Sequence, residues 1–156
     1  MKLRGYEQAY FERYINHLLS TYKIIYQMNR YIQHGDTTTY DHVLAVARYS
    51  YLLSCRLPFR FDTRSLILGA ILHDFYLYDW HDDDKSHRLH GFYHPGKALV
   101  NADKYFQLNN IERDIISKHM FPLTITKVPR YRESVIVCIA DKIVATKETF
   151  SRMKTR

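Results

Sequence analysis

The sequence predicts an all-α fold, a bundle of about six helices, and three observations support this prediction. Apolar residues recur at spacings of three and four along most of the chain, which is typical of helices that bury one face. No segment shows the sustained apolar–polar alternation of a half-buried strand. Capping residues and prolines stand at the ends of the periodic segments, where helices begin and stop. A length of 156 residues suits one domain, so a single unit is expected over 1–156.

The predicted helices span about 6–33, 39–55, 63–75, 95–106, 110–119 and 131–150. The apolar stripe of the first consists of Tyr10, Tyr14, Leu18, Ile25, Met28 and Ile32. Candidate cap residues precede three helices: Thr37–Thr39, Asp62 or Thr63, and Asn109 or Asn110. The third helix is apolar almost all round, which predicts a central position. Pro95 suits the first turn of the fourth, and loops are predicted over 79–93 and between Pro122 and Pro129.

The chain is basic, with 23 Lys and Arg against 16 Asp and Glu and a formal net charge of +7. This charge favours anionic partners such as phosphates or nucleic acid, although a generally basic surface is the alternative. No RNA-binding or zinc-finger signature accompanies it, so no motif supports nucleic acid as a partner. No GxGxxG or GxxxxGK[ST] run is present, so the common phosphate-binding loops are absent.

The sequence favours a cytoplasmic protein that does not enter a membrane. Its longest uncharged apolar run, Leu66 to Leu72, has seven residues, whereas a membrane-spanning helix needs about 20. The N-terminus lacks the apolar region of a secretory signal. The two cysteines, Cys55 and Cys138, form no CxxC pair, which is typical of a reducing compartment.

Polar side chains occur at three places where the predicted helices should be apolar. His73 and Asp74 end the most apolar segment, and a buried carboxylate needs a cation or strong donors. His42 lies on the inward stripe of its helix, and Asp141 lies within the apolar run 135–144. Each has an ordinary explanation: a helix end that reaches solvent, a hydrogen-bonded core histidine, or a salt bridge.

Two further histidines have comparable positions. His119 closes the fifth helix on its apolar face, although it could instead cap that helix's C-terminus. His94 precedes Pro95 at a predicted helix start, where the dipole favours the neutral imidazole that binds metals. Five segments therefore each place a nitrogen or oxygen ligand on the inner side of a helix. A divalent transition metal in the core explains all five, and mixed His and Asp ligands suit Mn, Fe, Co, Ni or Zn better than Ca.

This ordered set resembles the signature of the HD-domain metal-dependent phosphohydrolases, which is a histidine, an adjacent His-Asp pair and a later aspartate. The three parts read here as His42 in DHVLAVA, His73–Asp74 in GAILHDF and Asp141 in IADKI. The resemblance covers about 39–146 and implies an all-helical HD-type bundle with a metal site in its core.

The resemblance extends to the subgroup with two metals, which adds two histidines before the last aspartate. His94 in HPGKA and His119 in ISKHM match those places, although the glycine here follows the proline directly. The resemblance implies that the four signature residues hold one ion and the two added histidines a second, with Asp74 bridging both. A mononuclear site whose added histidines face the substrate is the alternative.

The implied activity is hydrolysis of a phosphoester or phosphoanhydride bond in a nucleotide or small phosphorylated metabolite, through a metal-activated water. Asp74 is then catalytic as well as a ligand. Further catalytic candidates, for phosphate contact or for protonating the leaving oxygen, are His87, Arg88 and His90. Lys97 and Lys118, which flank two supposed ligands, are candidate substrate contacts. For the loop residues, a solvated loop is the alternative.

Two rival functions fit the same residues. Some HD-fold proteins use a di-iron centre as an oxygenase, with a similar ligand set. A regulatory module that binds a metal or nucleotide without turnover is the other rival. The substrate, the oligomeric state and the identity and number of the ions do not follow from the sequence.

Overall fold

The structure is a computed structural model that describes residues 2–34, 36–78 and 90–154, with only the backbone of His34, His90 and residues 151–154. These ranges form six α-helices, a 3₁₀ helix and a small antiparallel sheet, so the predicted all-α class is confirmed. The elements in order are α1 (Gly5–Thr21), the 3₁₀ helix (Lys23–Arg30), β1 (Ile32–His34), β2 (Thr37–Thr38), α2 (Thr39–Ser54), α3 (Thr63–Leu72), α4 (His90–Asp103), α5 (Asn110–Lys118) and α6 (Arg132–Lys154). The described helices include no segment with the length and apolarity of a membrane span.

Helix α3 is the centre of the bundle, as its apolar composition predicts. Its fully buried residues are Leu66, Ile67, Ala70, Ile71 and Leu72. Helices α2 and α5 both pack on α3, and α6 packs on α2 and α5. His73 and Asp74 follow α3 directly. The end of the most apolar helix therefore places two polar side chains in the interior.

A glycine lets α3 and α5 approach closely. A Cβ placed on Gly69 would lie 2.5 Å from Cδ1 of Ile115 and 3.1 Å from its Cβ and Cγ2. Since His73 follows Gly69 by four residues and His119 follows Ile115 by four, the same contact brings the two histidines together. Their ring centroids are 4.8 Å apart.

Three helices begin at predicted caps. The Thr38 side chain accepts a hydrogen bond from the backbone of the third residue of α2, and Asp62 does the same for α3. Asn109 and Glu112 form a reciprocal capping box at the start of α5. Each of these helix starts is set by side chains within the first turn, so it can be predicted from the sequence.

The prediction for the first helix is wrong beyond Thr21. The chain leaves α1 at Tyr22, forms the 3₁₀ helix and then pairs β1 with β2, although the sequence pattern predicts no strand. No glycine or proline marks the break. The Tyr22 ring contacts Phe106 with 4.5 Å between centroids, and Ile25 and Met28 are fully buried. Tertiary packing thus overrides the local preference for a continuous helix.

The buried face of α1 is also displaced from the predicted stripe. Its buried apolar residues are Phe11, Ile15, Leu18 and Leu19. Tyr10, predicted for this face, is 39% exposed, and Ile32, the last residue of the predicted stripe, lies on β1 and is 38% exposed. Tyrosine serves either environment because its ring is apolar and its hydroxyl is polar, so tyrosines blur the periodic signal.

Helix α4 begins at His90 and contains Pro95, which corrects the prediction that this proline opens the helix. Because proline has no backbone N–H, Pro95 cannot donate a hydrogen bond to the carbonyl of Gly91, one turn earlier. Residues 90–93 of the predicted loop therefore belong to α4, and 79–89 lie outside the described residues. Helix α3 ends at Leu72 instead of 75, because the following residues form a turn, and α6 continues to Lys154.

Candidate metal centre

The structure brings the six predicted metal ligands together inside the bundle. They come from α2 (His42), the turn after α3 (His73 and Asp74), α4 (His94), the residue after α5 (His119) and α6 (Asp141). Each is at most 9% exposed. The cluster therefore joins elements that are distant in sequence and occupies the interior rather than a surface loop.

Asp74 lies between two pairs of histidines. Its Oδ2 atom is 3.8 Å from Nε2 of His42 and 3.5 Å from Nε2 of His73. Its Oδ1 atom is 3.1 Å from Nε2 of His94 and 3.5 Å from Nε2 of His119. One carboxylate thus presents an oxygen to each pair, as a bridging ligand would.

His73 and His119 share one local geometry, because each follows the last residue of its helix. The Nδ1 atom of His73 is 2.7 Å from the carbonyl oxygen of Ala70, and that of His119 is 2.9 Å from the carbonyl of Ile116. A carbonyl only accepts, so Nδ1 carries the proton in both rings. Nε2 is then the atom that each ring directs into the cluster, and its lone pair suits a metal.

His42 is oriented by two carboxylates on α6. Its Nδ1 donates to Oε2 of Glu148 over 2.9 Å, and its Nε2 lies 3.2 Å from Oδ1 of Asp141. Asp141 is also 3.7 Å from Nε2 of His73. A carboxylate behind a histidine fixes the ring's orientation and tautomer in many metal sites. Glu148 has that position here.

The two central carboxyls are held in their charged form. Burial alone would favour their neutral forms, but the surrounding histidines outweigh it and hold the pKa of Asp74 and of Asp141 well below the usual range. Both groups are therefore carboxylates at neutral pH, which is the form that binds a cation.

The histidines differ from one another in basicity. Burial disfavours the charged ring of His42, but hydrogen bonds to Asp141 and Glu148 prevail and raise its pKa to about 10. Burial and the neighbouring histidines lower the pKa of His119 to about 3. The His119 ring is thus neutral at physiological pH, which is the form that can bind a metal, whereas His42 would have to release a proton to bind one.

The donor set fits a divalent transition metal. His73 Nε2 and Asp74 Oδ1 are buried atoms without an assigned hydrogen-bond partner among the described residues, and His94 Nε2 lies 3.1 Å from that Oδ1. Unpartnered buried polar atoms are costly in a native core, and a shared cation would satisfy both. Two ligands bound at about 2.1 Å to one ion lie roughly 3.0–3.4 Å apart. The nitrogen–oxygen separations of 3.1–3.8 Å in the cluster are close to this range.

The ligand atoms form two overlapping groups, each with all atoms within 4.8 Å of one another. One group is His42, His73 and Asp141, and the other is His73, Asp74 and His119. His94 adjoins the second, since its Nε2 is 2.7 Å from Nε2 of His119. The first group contains three of the four residues that the resemblance implies for one ion, and Asp74 falls in the second group.

The other predicted site residues are not brought into the cluster by the described contacts. His87 and Arg88 lie outside the described residues, and so does the side chain of His90. The Lys97 ammonium lies 4.3 Å from the ring centroid of Tyr78. Lys118 pairs with Asp114 on its own helix at 2.5 Å.

Two polar residues at the cluster were missed by the sequence argument. Gln33 on β1 donates from Nε2 to Oδ2 of Asp74 over 2.7 Å. Glu148 has a readable signal, because it follows Asp141 by seven residues and so shares its helix face. Gln33 has none, since its role depends on a strand of three residues that the pattern does not predict.

One of three comparisons with known proteins identifies the family of this chain. A family model described as HD domain matches residues 39–146, more than half of the chain. No curated protein and no solved structure matches the chain. The matched segment contains all six clustered ligands. The chain therefore belongs to the HD-domain family.

Proposed function

We propose that this protein is a metal-dependent phosphohydrolase that cleaves a phosphoester or phosphoanhydride bond of a nucleotide or small phosphorylated metabolite. HD domains are typically metal-dependent hydrolases. The observation that carries the proposal is the convergence of four histidines and two aspartates on an interior point, where His73 Nε2 and Asp74 Oδ1 have no assigned hydrogen-bond partner within residues 2–34, 36–78 and 90–154.

One or two divalent ions (Mn, Fe, Co, Ni or Zn) are the proposed cofactor. His42, His73, Asp74 and Asp141 would hold one, and His94 and His119 a second that shares Asp74. Such ions supply a water of lowered pKa and positive charge opposite phosphoryl oxygens. Mixed imidazole and carboxylate ligands without thiolate suit these metals.

The chain's own residues supply orientation and proton control. Glu148 and the carbonyls behind His73 and His119 hold the Nδ1 protons, so each Nε2 is aimed inward. Burial of the four histidines keeps bulk water from their ligand atoms.

The proposed phosphate and leaving-group contacts come from outside the cluster. We retain His87, Arg88 and His90 for this role, together with Lys97 and Lys118. Lys118 would have to leave Asp114 to reach a phosphate. The proposed partner is a small phosphorylated substrate, and a cytoplasmic location remains a prediction from the two free cysteines.

The test is a panel of phosphate monoesters, nucleotides and phosphoanhydrides, assayed with protein reconstituted with Mn²⁺ and compared with metal-free protein. Release of phosphate that requires metal and also proceeds without oxygen is the expected result. Metal content is measured on the same samples by elemental mass spectrometry. A catalytically impaired variant, Asp74→Ala, controls for contaminating phosphatases.

Two other outcomes would contradict the proposal. A reaction that strictly requires iron and oxygen would identify an oxygenase. Tight nucleotide binding without turnover of any substrate in the panel would identify a regulatory module.

A further inference from the structure

A buried glutamine forms a hydrogen-bonded chain that ends on the central carboxylate. Gln33 is 7% exposed and lies on β1, between α2 and the turn after α3. Its Nε2 is 2.7 Å from Asp74 Oδ2, and its Oε1 is 2.5 Å from the Tyr76 hydroxyl. The Thr39 hydroxyl lies 3.2 Å from the same Oε1.

The partners determine which way the amide faces. Asp74 is a carboxylate and only accepts, so the NH₂ group of Gln33 must face it. The amide oxygen then faces the two hydroxyls, and Tyr76 donates to it. The order therefore runs from the Tyr76 hydroxyl through the Gln33 amide to Asp74, and the Thr39 hydroxyl is shared among Gln33 Oε1, the Tyr31 carbonyl and the Tyr76 hydroxyl. Bonds linked in this way polarise and strengthen one another in a buried setting.

The hydrogen bond acts on one oxygen of the carboxylate. Oδ2, which accepts from Gln33, faces the His42 and His73 side, whereas Oδ1 faces His94 and His119. Rotation about the carboxylate bond would exchange the two oxygens or turn both away from the histidines. A donor fixed to Oδ2 prevents that rotation.

We propose that Gln33 is a positioning residue for the metal centre: its amide fixes the Asp74 carboxylate so that one oxygen faces each histidine pair. This inference rests on the proposed function, since it assumes that Asp74 binds a divalent ion. Gln33 itself acts only through Asp74, and Tyr76 and Thr39 act through Gln33.

The test measures Mn²⁺ affinity by calorimetry in wild type and Gln33→Met, a change that keeps the length of the side chain and removes the donor. Loss of a partner that orients a ligand weakens metal binding by about 10–100-fold, and that loss is expected here. The absorption spectrum of bound Co²⁺, which reports ligand geometry, should also change. Neither readout responds to a purely structural loss elsewhere.

Two further variants calibrate this result. Ser65→Ala removes a partly buried hydrogen bond, donated over 2.7 Å by the α5 cap residue Asn109 to α3, without touching the cluster. It should leave the Mn²⁺ affinity and the Co²⁺ spectrum unchanged. Tyr76→Phe removes the hydroxyl that donates to the Gln33 amide, so we expect a loss of Mn²⁺ affinity smaller than that of Gln33→Met. If Gln33→Met does not fold, Tyr76→Phe is the variant that tests the inference.

Wild-type affinity and an unaltered Co²⁺ spectrum in Gln33→Met, or in Tyr76→Phe where only that variant folds, would overturn the inference while leaving the proposed function intact. A wild-type protein that does not bind Mn²⁺ would instead overturn the proposed function and this inference with it.

Discussion

At the scale of the residue, Asp74 is the side chain on which the centre depends most, because its two oxygens face different histidine pairs. Replacing Asp74 with alanine removes the shared ligand and leaves the buried histidines without their central counter-charge. We expect Asp74→Ala to lose most of its bound metal and to reduce any phosphate release to background. Elemental analysis and the phosphatase panel check this, and full metal content with wild-type activity would contradict it.

Substitutions of His94 and His119 test whether the centre holds two ions, because these two histidines lie on one side of Asp74. Both contact Oδ1 of Asp74, whereas His42 and Asp141 lie on the other side. If two ions bind, His94→Ala and His119→Ala should each retain one and lose the other. Metal-to-protein ratios near one, against two for the wild type, are the expected result. A ratio unchanged by either substitution would exclude these histidines as ligands.

The acid–base state of His42 predicts how metal affinity depends on pH. In the metal-free protein, hydrogen bonds to two carboxylates overcome the effect of burial and raise the pKa of this ring to about 10. The ring is therefore the doubly protonated imidazolium cation at neutral pH. Burial disfavours the charged His73 ring as well, but Asp74 and Asp141 raise its pKa. Binding a metal must displace at least the His42 proton, so affinity should rise at least about tenfold per pH unit below the pKa of His42. Calorimetry of Mn²⁺ binding from pH 6 to 8.5 measures the slope.

Glu148→Gln is the matched variant for that titration. It keeps an oxygen that accepts from Nδ1 of His42 but removes one of the charges that raise the ring's pKa. The rise in affinity should therefore level off at lower pH than in the wild type. Equal, pH-independent affinities in both proteins would show that no proton leaves His42.

At the scale of the element, the contact between α3 and α5 sets the distance between two histidine-bearing helix ends. Gly69→Ala places a methyl group 2.5 Å from Cδ1 of Ile115. Overpacking costs about 1–3 kcal/mol, and the better helix propensity of alanine offsets about 0.5–1 kcal/mol of it. A net loss of unfolding free energy is expected in urea denaturation.

Ile115→Val provides the paired control because valine lacks the Cδ1 atom that the new methyl group would meet. In a double-mutant cycle, the combined loss should be smaller than the sum of the single losses, with a coupling of about 0.5–3 kcal/mol. Strict additivity would contradict the proposed clash.

Local chemistry explains which elements the sequence predicts well. The start of α5 follows from Asn109 and Glu112, which satisfy its first backbone groups without help from other elements. The break after Thr21 has no such local cause, since it coincides with packing of Tyr22 on Phe106. The strand pair is also unreadable, because β1 and β2 have three and two residues, too few to show alternation.

The same distinction holds within the site. His42 and Asp141 are visible in the sequence because a polar residue on an apolar helix face requires an explanation. Gln33 offers no such contrast, since it lies in a segment that is predicted as helix and folds as a strand. Its contact with Asp74 spans 41 residues and depends on the tertiary fold.

At the scale of the whole molecule, the centre links α2, α3, α4, α5 and α6 at one point, so metal binding should stabilise the entire fold. A ligand that binds only the folded state at 100 times its dissociation constant adds about 2.7 kcal/mol. The midpoint temperature of thermal unfolding should therefore rise when Mn²⁺ is added and fall to its original value when the metal is removed by a chelator. Asp74→Ala should show no such shift, and an equal shift in this variant would indicate binding elsewhere.

The most direct measurement is anomalous diffraction at the manganese edge from crystals grown with Mn²⁺. The predicted result is a strong peak inside the bundle, within bonding distance of His73 Nε2 and Asp74, with the other four side chains arranged around it or around a second peak beside His94 and His119. Peaks confined to surface carboxylates, or six side chains turned away from a common point, would contradict a metal centre in this core.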